Sequence, residues 1–149
     1  MNRVYRHQPL APDEYLGWVD LQGQVFEARF GPDRKIGRVD PASGRIYEAR
    51  LGPDQLIGRV DLETGRVYLA RIGPDQHIGQ VHADGKIYLH RRLARDEYIG
   101  RVREMSSLAH GGAALLLLVQ PAYDEARQRA EENAEDTGDL EAGQATNPA

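Results

Sequence analysis

The sequence contains no cysteine, so disulfides and cysteine-based metal sites are excluded, which is compatible with a reducing compartment. No apolar segment follows the arginines of Met1-Asn2-Arg3-Val4-Tyr5-Arg6-His7, so no secretory signal is expected and a cytoplasmic location is the default. Long hydrophobic runs are also missing. The largely apolar stretch from Leu108 to Val119 has 12 residues, against the roughly 20 a membrane-spanning helix needs, so no stable membrane span is expected. A basic excess is lacking as well: residues 1–120 carry 17 Lys+Arg against 15 Asp+Glu, and residues 121–149 carry 2 against 8. A near-neutral body of this kind argues against a groove that neutralises nucleic-acid phosphates. No nucleophile elbow, phosphate-cradling glycine loop, His-Glu-x-x-His or CxxC motif occurs, and the expectation is a non-enzymatic protein without a cofactor.

What fills the chain instead is a repeat. A unit reading Ile-Gly-Arg-Val-Asp, a turn, Gly-Arg-Ile-Tyr-x-Ala-Arg, then Gly-Pro-Asp recurs with its first glycine at Gly17, Gly37, Gly58, Gly79 and Gly100, at spacings of 20, 21, 21 and 21. A period this short means supersecondary units sharing one core, rather than a domain built around one localised site. Ile36-Gly37-Arg38-Val39-Asp40 and Arg45-Ile46-Tyr47-Glu48-Ala49-Arg50 both read as short β-strands. Pro41-Ala42-Ser43-Gly44 joins them as a hairpin turn, with Leu62-Glu63-Thr64-Gly65, Leu21-Gln22-Gly23 and Ala83-Asp84-Gly85 at the matching places.

The units are linked by Gly31-Pro32-Asp33, Gly52-Pro53-Asp54 and Gly73-Pro74-Asp75, with Ala11-Pro12-Asp13 and Ala94-Arg95-Asp96 as altered copies. Proline pre-sets φ in such a turn and aspartate bonds a nearby backbone amide. One aspartate per loop does not supply the six to eight converging oxygens calcium wants, so these residues are read as structural. The glycine within each first strand implies a close approach, a bend or a bulge. The expected cover for these glycines is the aromatic series Phe26, Tyr47, Tyr68 and Tyr88 on neighbouring strands.

Apolar side chains on both faces of the strands point to hairpins packed on two sides, as in a propeller-like ring or a small closed barrel. Arg3-Val4-Tyr5 is an isolated second strand and Ile99-Gly100-Arg101-Val102 an isolated first strand. Their meeting would complete one more unit and remove the exposed edges of an open array. The expected fold is therefore all-β, a closed ring of antiparallel hairpins of about 21 residues each.

The Ile-Gly-Arg-Val, Gly-Arg-Ile-Tyr and Gly-Pro-Asp pattern, followed by Gly111-Gly112-Ala113-Ala114-Leu115-Leu116-Leu117-Leu118, resembles the bacterial four-fold beta-flower family over about residues 3 to 119. The resemblance implies a symmetric array of β-hairpins and carries no assigned reaction or catalytic residue. Leu108 to Val119 can be read as a plug on the axis or base of the ring, a helix that docks a partner, or half of a membrane-inserting hairpin. A ring of short hairpins has little core of its own, so the plug is expected, giving a repeat domain over 1–120 with the plug at 106–120. The remainder, 121–149, is expected to form a short helix from Pro121 to about Glu135 and a disordered acidic tail from Asp136 to Ala149.

Two sets of residues are candidates for binding. The aromatics Phe26, Tyr47, Tyr68 and Tyr88, and the arginines Arg29, Arg50, Arg71 and Arg91, recur once per unit and could line an axial pocket or one face. A plainer reading pairs those arginines with Asp33, Asp54, Asp75 and Asp96. His77, His82 and His90 cluster in one unit, but their places are taken by other residues in the other units, and no metal site is expected. The carboxylate pairs Asp13-Glu14 and Asp96-Glu97 read as turn residues. The leading functional expectation is a module that binds a small ligand or a partner protein. The alternative is a structural protein that oligomerises or docks another protein through its apolar C-terminal segment. A vacant axial cavity would favour the first, and leucines filling the axis would favour the second.

Overall fold

The computed structural model describes the backbone of residues 1–145 and the side chains of residues 1–135. Ten strands form a closed antiparallel barrel: β1 (Asn2–Arg6), β2 (Glu14–Val19), β3 (Gln24–Glu27), β4 (Arg34–Val39), β5 (Arg45–Glu48), β6 (Gln55–Val60), β7 (Arg66–Leu69), β8 (Gln76–Val81), β9 (Lys86–Leu89) and β10 (Glu97–Arg103). Each strand pairs with its sequence neighbours, and β1 pairs with β10 through Val4 opposite Val102. The two half-units therefore meet and make a fifth hairpin. Closure removes both sheet edges.

The strand glycine, the aromatic and the isoleucine each have a distinct place. In every first strand the residue before the glycine (Leu16, Ile36, Ile57, Ile78 and Ile99) is skipped in the pairing to the preceding strand, which is a β-bulge. The bulge bends the strand and re-aims its apolar residue, so that Ile78 and Ile99 are buried and Leu16, Ile36 and Ile57 pack partly against the core. The apolar residues on both faces thus reflect a bulge in a barrel wall and not a propeller blade packed on two sides. Turn glycines such as Gly44, at φ +79°, take a backbone conformation that a side chain would strain, and Gly44 also accepts a 2.9 Å hydrogen bond from Val60 N–H.

The barrel encloses a helix. After Glu104, whose φ of 55° turns the chain inward, α1 (Leu108–Ala114), a π-helical turn (Leu115–Val119) and α2 (Gln120–Ala145) run on as one rod. Residues 109–119 are all buried, so the expected plug is the core of the protein. Helix and wall are complementary in size. The small residues Gly111 and Gly112 pass the inward valines: a Cβ on Gly111 would lie 2.4 Å from Val81 Cγ1, and one on Gly112 2.5 Å from Val60 Cβ. Higher up, leucines meet the wall glycines. A Cβ on Gly37 would approach Leu117 Cδ1 to 2.7 Å, one on Gly58 would approach Leu116 Cδ1 to 2.5 Å, and one on Gly79 would approach Leu115 Cδ2 to 3.0 Å. Val119 faces Gly100 in the same way, and Leu118 lies toward Leu16 of the first hairpin. The rings of the tyrosines do not cover these glycines; only the tyrosine backbone carbonyls come near. Plug side chains take the expected place of the aromatics.

Successive residues from 115 to 118 thus address successive hairpins. Five hairpins stand about 72° apart, whereas an α-helix advances about 100° per residue. The π-turn, marked by the hydrogen bond from Gln120 N–H to Leu115 C=O, puts more residues in a turn and brings the helix closer to the step of the ring.

α2 extends to Ala145, past the expected end near Glu135, and the expectation of disorder for 146–149 lies outside the described residues. The acidic, small-residue composition of 136–145 does not prevent helix here, because the segment continues a rod already nucleated inside the barrel. Among the described residues no helix is long and apolar enough to cross a membrane.

Candidate docking surface at the helix exit

The outer wall carries a repeated stack that occupies most of the sequence-predicted aromatics. Arg38 lies 4.0 Å over the ring of Tyr47 and its Nε donates to Asp54 at 3.0 Å; Arg59 lies 4.1 Å over Tyr68 and donates to Asp75 at 3.0 Å. Trp18 does the same in the first hairpin, stacking on Phe26 at 4.2 Å and donating to Asp33 at 2.9 Å. In the closing hairpin Arg101 sits 5.2 Å from the Tyr5 ring, and its Nε is 2.9 Å from Asp13 without the N–H aimed at the oxygen. Burial pushes the Asp13 carboxyl up, but hydrogen bonds from His7 and the Gln8 backbone, with Arg101 nearby, hold it below its ordinary value. The Gly-Pro-Asp turn thus folds its carboxylate back over its own hairpin. The fourth hairpin breaks the series, because Gln80 stands opposite Tyr88, which instead contacts His82 at 4.6 Å and Tyr98 at 5.6 Å.

This arrangement overturns the expected pairing of Arg29, Arg50, Arg71 and Arg91 with the loop aspartates. Asp33, Asp54 and Asp75 are held by Trp18, Arg38 and Arg59, and Asp96 by His90 Nδ1 at 3.3 Å. The strand-end arginines stand at the rim where the helix leaves. Arg50 pairs with Glu48 at 2.9 Å, Arg71 donates to Gln76 at 3.1 Å, and Arg91 pairs with Glu97 and donates to Tyr123 at 2.7 Å. Arg29 contributes its backbone N–H to Asp33 at 3.4 Å. Phe26, Tyr47 and Tyr68 thus take part in the stacks of the outer wall, and Arg50, Arg71 and Arg91 in contacts at the rim. The axis itself is filled by Leu115 to Val119.

The three histidines separate as well. His77 stacks on His90 at 4.3 Å while His82 turns to Tyr88, and among the described residues no three metal-ligating side chains gather. Burial, followed by the neighbouring His90, lowers the His77 pKa. The turn carboxylates are engaged: Asp13 with His7, Glu14 with Arg6, Asp96 with His90 and Glu97 with Arg91.

The feature that stands out is a crown around the emerging helix. The residue before each inter-hairpin turn is apolar, and Leu10, Phe30, Leu51, Ile72 and Leu93 are all 99% or more exposed. The turn glycines beside them face open space: Gly31, Gly52 and Gly73 have no atom within 4 Å of where a Cβ would stand. Single exposed apolar residues need no explanation; here they recur one per unit, five in all. Inside the crown α2 leans to one side. Tyr123 is held by Arg91, and Tyr123 and Ala126 line a groove with Pro9, Tyr98 and Ile99. Burial and then the hydrogen bonds from Arg91 and Tyr123 act in opposite senses on Glu97, and the net result is a pKa below the ordinary value. The opposite side stays open as two adjoining cavities of about 460 and 330 Å³, which share Glu27, Leu117 and Pro121. Phe26, Tyr47, Tyr68 and Tyr88 take no part in them.

Sequence reasoning missed the crown, although an apolar residue directly before each Gly-Pro-Asp or its altered copy was a readable signal. It also missed two buried polar residues that fasten the far end. Asn2 accepts from Ser106 N–H at 2.6 Å and donates to Val19 C=O at 3.0 Å, and His110 lies 2.7 Å from Ser107 Oγ and 3.2 Å from Leu21 C=O.

Comparison of the chain with protein-family models, curated proteins and solved structures found no match in any of the three.

Proposed function

We propose that this protein is a non-enzymatic docking module: a rigid, filled barrel that holds another protein at the end where its central helix emerges. The observation that carries the reading is the contrast between an axis filled by Leu115 to Val119 and a crown of five uncovered apolar side chains. A small-molecule binder on the axis would need an enclosed apolar cavity with a few convergent polar groups, and leucines stand in that place. The outward aromatics Phe26, Tyr47 and Tyr68 are already stacked by Trp18, Arg38 and Arg59, which leaves their faces occupied.

The test is site-specific photo-crosslinking in the cells that make the protein. A photoreactive residue at Phe30, Leu51 or Ile72 is expected to give one adduct of defined mass, and the same residue at Lys86 on the barrel wall is expected to give none. Equal yields from crown and wall would remove the proposal.

A further inference from the structure

The crown contains two kinds of feature that complement each other. The first is a knob: an arginine followed by an apolar tip, as in Arg29-Phe30, Arg50-Leu51, Arg71-Ile72 and Arg92-Leu93. The second is the open half of the moat beside α2. Its floor is Leu117, Leu118 and Pro121; the smaller of its two cavities is rimmed by Glu14, Glu27 and Glu125, of which Glu14 also pairs with Arg6 and Glu125 with Arg129, and the larger is lined by Arg34, Lys35 and Arg50 beside Glu27 and Glu48. An apolar tip fits the floor, and the arginine that precedes it fits the carboxylates.

We propose that the occupant is a second copy of this chain. Two crowns meet off-axis, so that Phe30 and Leu51 of each copy enter the moat of the other, and Arg29 and Arg50 of each reach Glu14, Glu27 and Glu125. Knob and hole lie on the same side of the same crown, which is what a two-fold interface requires: the patch must be complementary to itself. The lean of α2 toward Arg91 and Glu97 leaves that side free. α2 then runs beside the partner's crown, where its carboxylates, Glu132 and Glu135 among them, meet Arg34 and Lys35 at the edge of the partner's larger cavity.

A flat bilayer is the other surface that apolar tips beside arginines could enter. The rod opposes it. α2 has 26 residues and, at about 1.5 Å per residue, is roughly 39 Å long; beyond its first two turns, which lie inside the crown, it projects with acidic side chains that a membrane would reject.

The proposal rests on reading the crown as a docking surface, and sedimentation of the purified full chain separates the two. At about 100 μM the wild-type chain is expected to be a dimer that weakens several-fold in 0.5 M salt. The Phe30→Ser/Leu51→Ser variant, with both changes at fully exposed positions and its fold checked by circular dichroism, is expected to dimerise at least about tenfold more weakly. Glu125→Arg should weaken the dimer in the same direction. A wild-type chain that stays monomeric, or a dimer indifferent to these substitutions, overturns the dimer. Monomeric wild type that binds phosphatidylglycerol vesicles, with binding lost in the double variant, also overturns it and assigns the tips to membrane. If the pure chain is monomeric while the crown still crosslinks a different protein in cells, the docking reading stands and only the self-pairing fails.

Discussion

The two ends of this barrel are built from the same repeat and solve opposite problems. Where the helix enters, the hairpin turns are short and fastened: Asn2 bonds Val19 and Ser106, His110 reaches Leu21, and the turn glycines tuck under the next strand. Where the helix leaves, the connections are longer, their apolar tips touch nothing, and only one side of the rim is tied to α2. The difference shows that a tandem repeat can divide its labour along the axis, with one set of turns holding the core and the other leaving its apolar tips exposed.

The strongest way to break this contrast is to remove what both ends share. Deleting residues 106–149 takes away the five buried side chains from Leu115 to Val119, worth about 2 kcal/mol each as an upper estimate, or about 10 kcal/mol in total. That is comparable with the whole stability of a typical domain. The truncated chain is expected to lose its cooperative thermal transition, and a truncation that melts like the full chain would show that the wall stands alone. A smaller effect separates the ends. Asn2→Ala at the fastened end deletes a fully buried amide with three hydrogen bonds and should cost about 2–3 kcal/mol in urea unfolding. Leu51→Ser at the open end should stay within about 0.5 kcal/mol. Equal costs would erase the division of labour.

The smallest effect concerns pH at the exit. The Glu97 pKa lies below its ordinary value in the folded protein, so its contribution is present above the ordinary carboxylate range and lost as pH falls through the folded value. Glu97 is part-exposed, so the loss should be under about 1 kcal/mol, and Glu97→Gln should flatten that part of the acid limb of the melting curve. An unchanged limb would mean that α2 is not held through Tyr123, Arg91 and Glu97.

Much of the wall was legible in the sequence. The 21-residue period, the turn glycines and the half-units Arg3-Val4-Tyr5 and Ile99 to Val102 led to a closed ring because each is a local signal repeated. The plug was legible as an apolar run without a place to span. The glycine cover was not, because a period identifies that something approaches Gly37 or Gly58 but cannot tell whether an aromatic on the next strand or a leucine 58 or more residues away arrives there. The partners of the arginines were missed for a related reason. Nearness in sequence favoured Arg50 with Asp54, whereas the fold brings Arg38, 16 residues from Asp54, to the same carboxylate. Asn2 and His110 occur once and carry no pattern, so only the three-dimensional structure assigns them a role.

The π-turn has a mechanical consequence. Because Leu115, Leu116, Leu117 and Val119 each sit against a different wall glycine, the helix is keyed to the barrel like an axle to its hub, and it cannot spin without driving several side chains into backbone at once. Its angular setting is therefore fixed all the way to the first turns of α2. Whatever α2 carries beyond the rim is presented at one azimuth relative to the crown, so a single residue inserted just after Val119 would rotate the outgoing rod by about 100°.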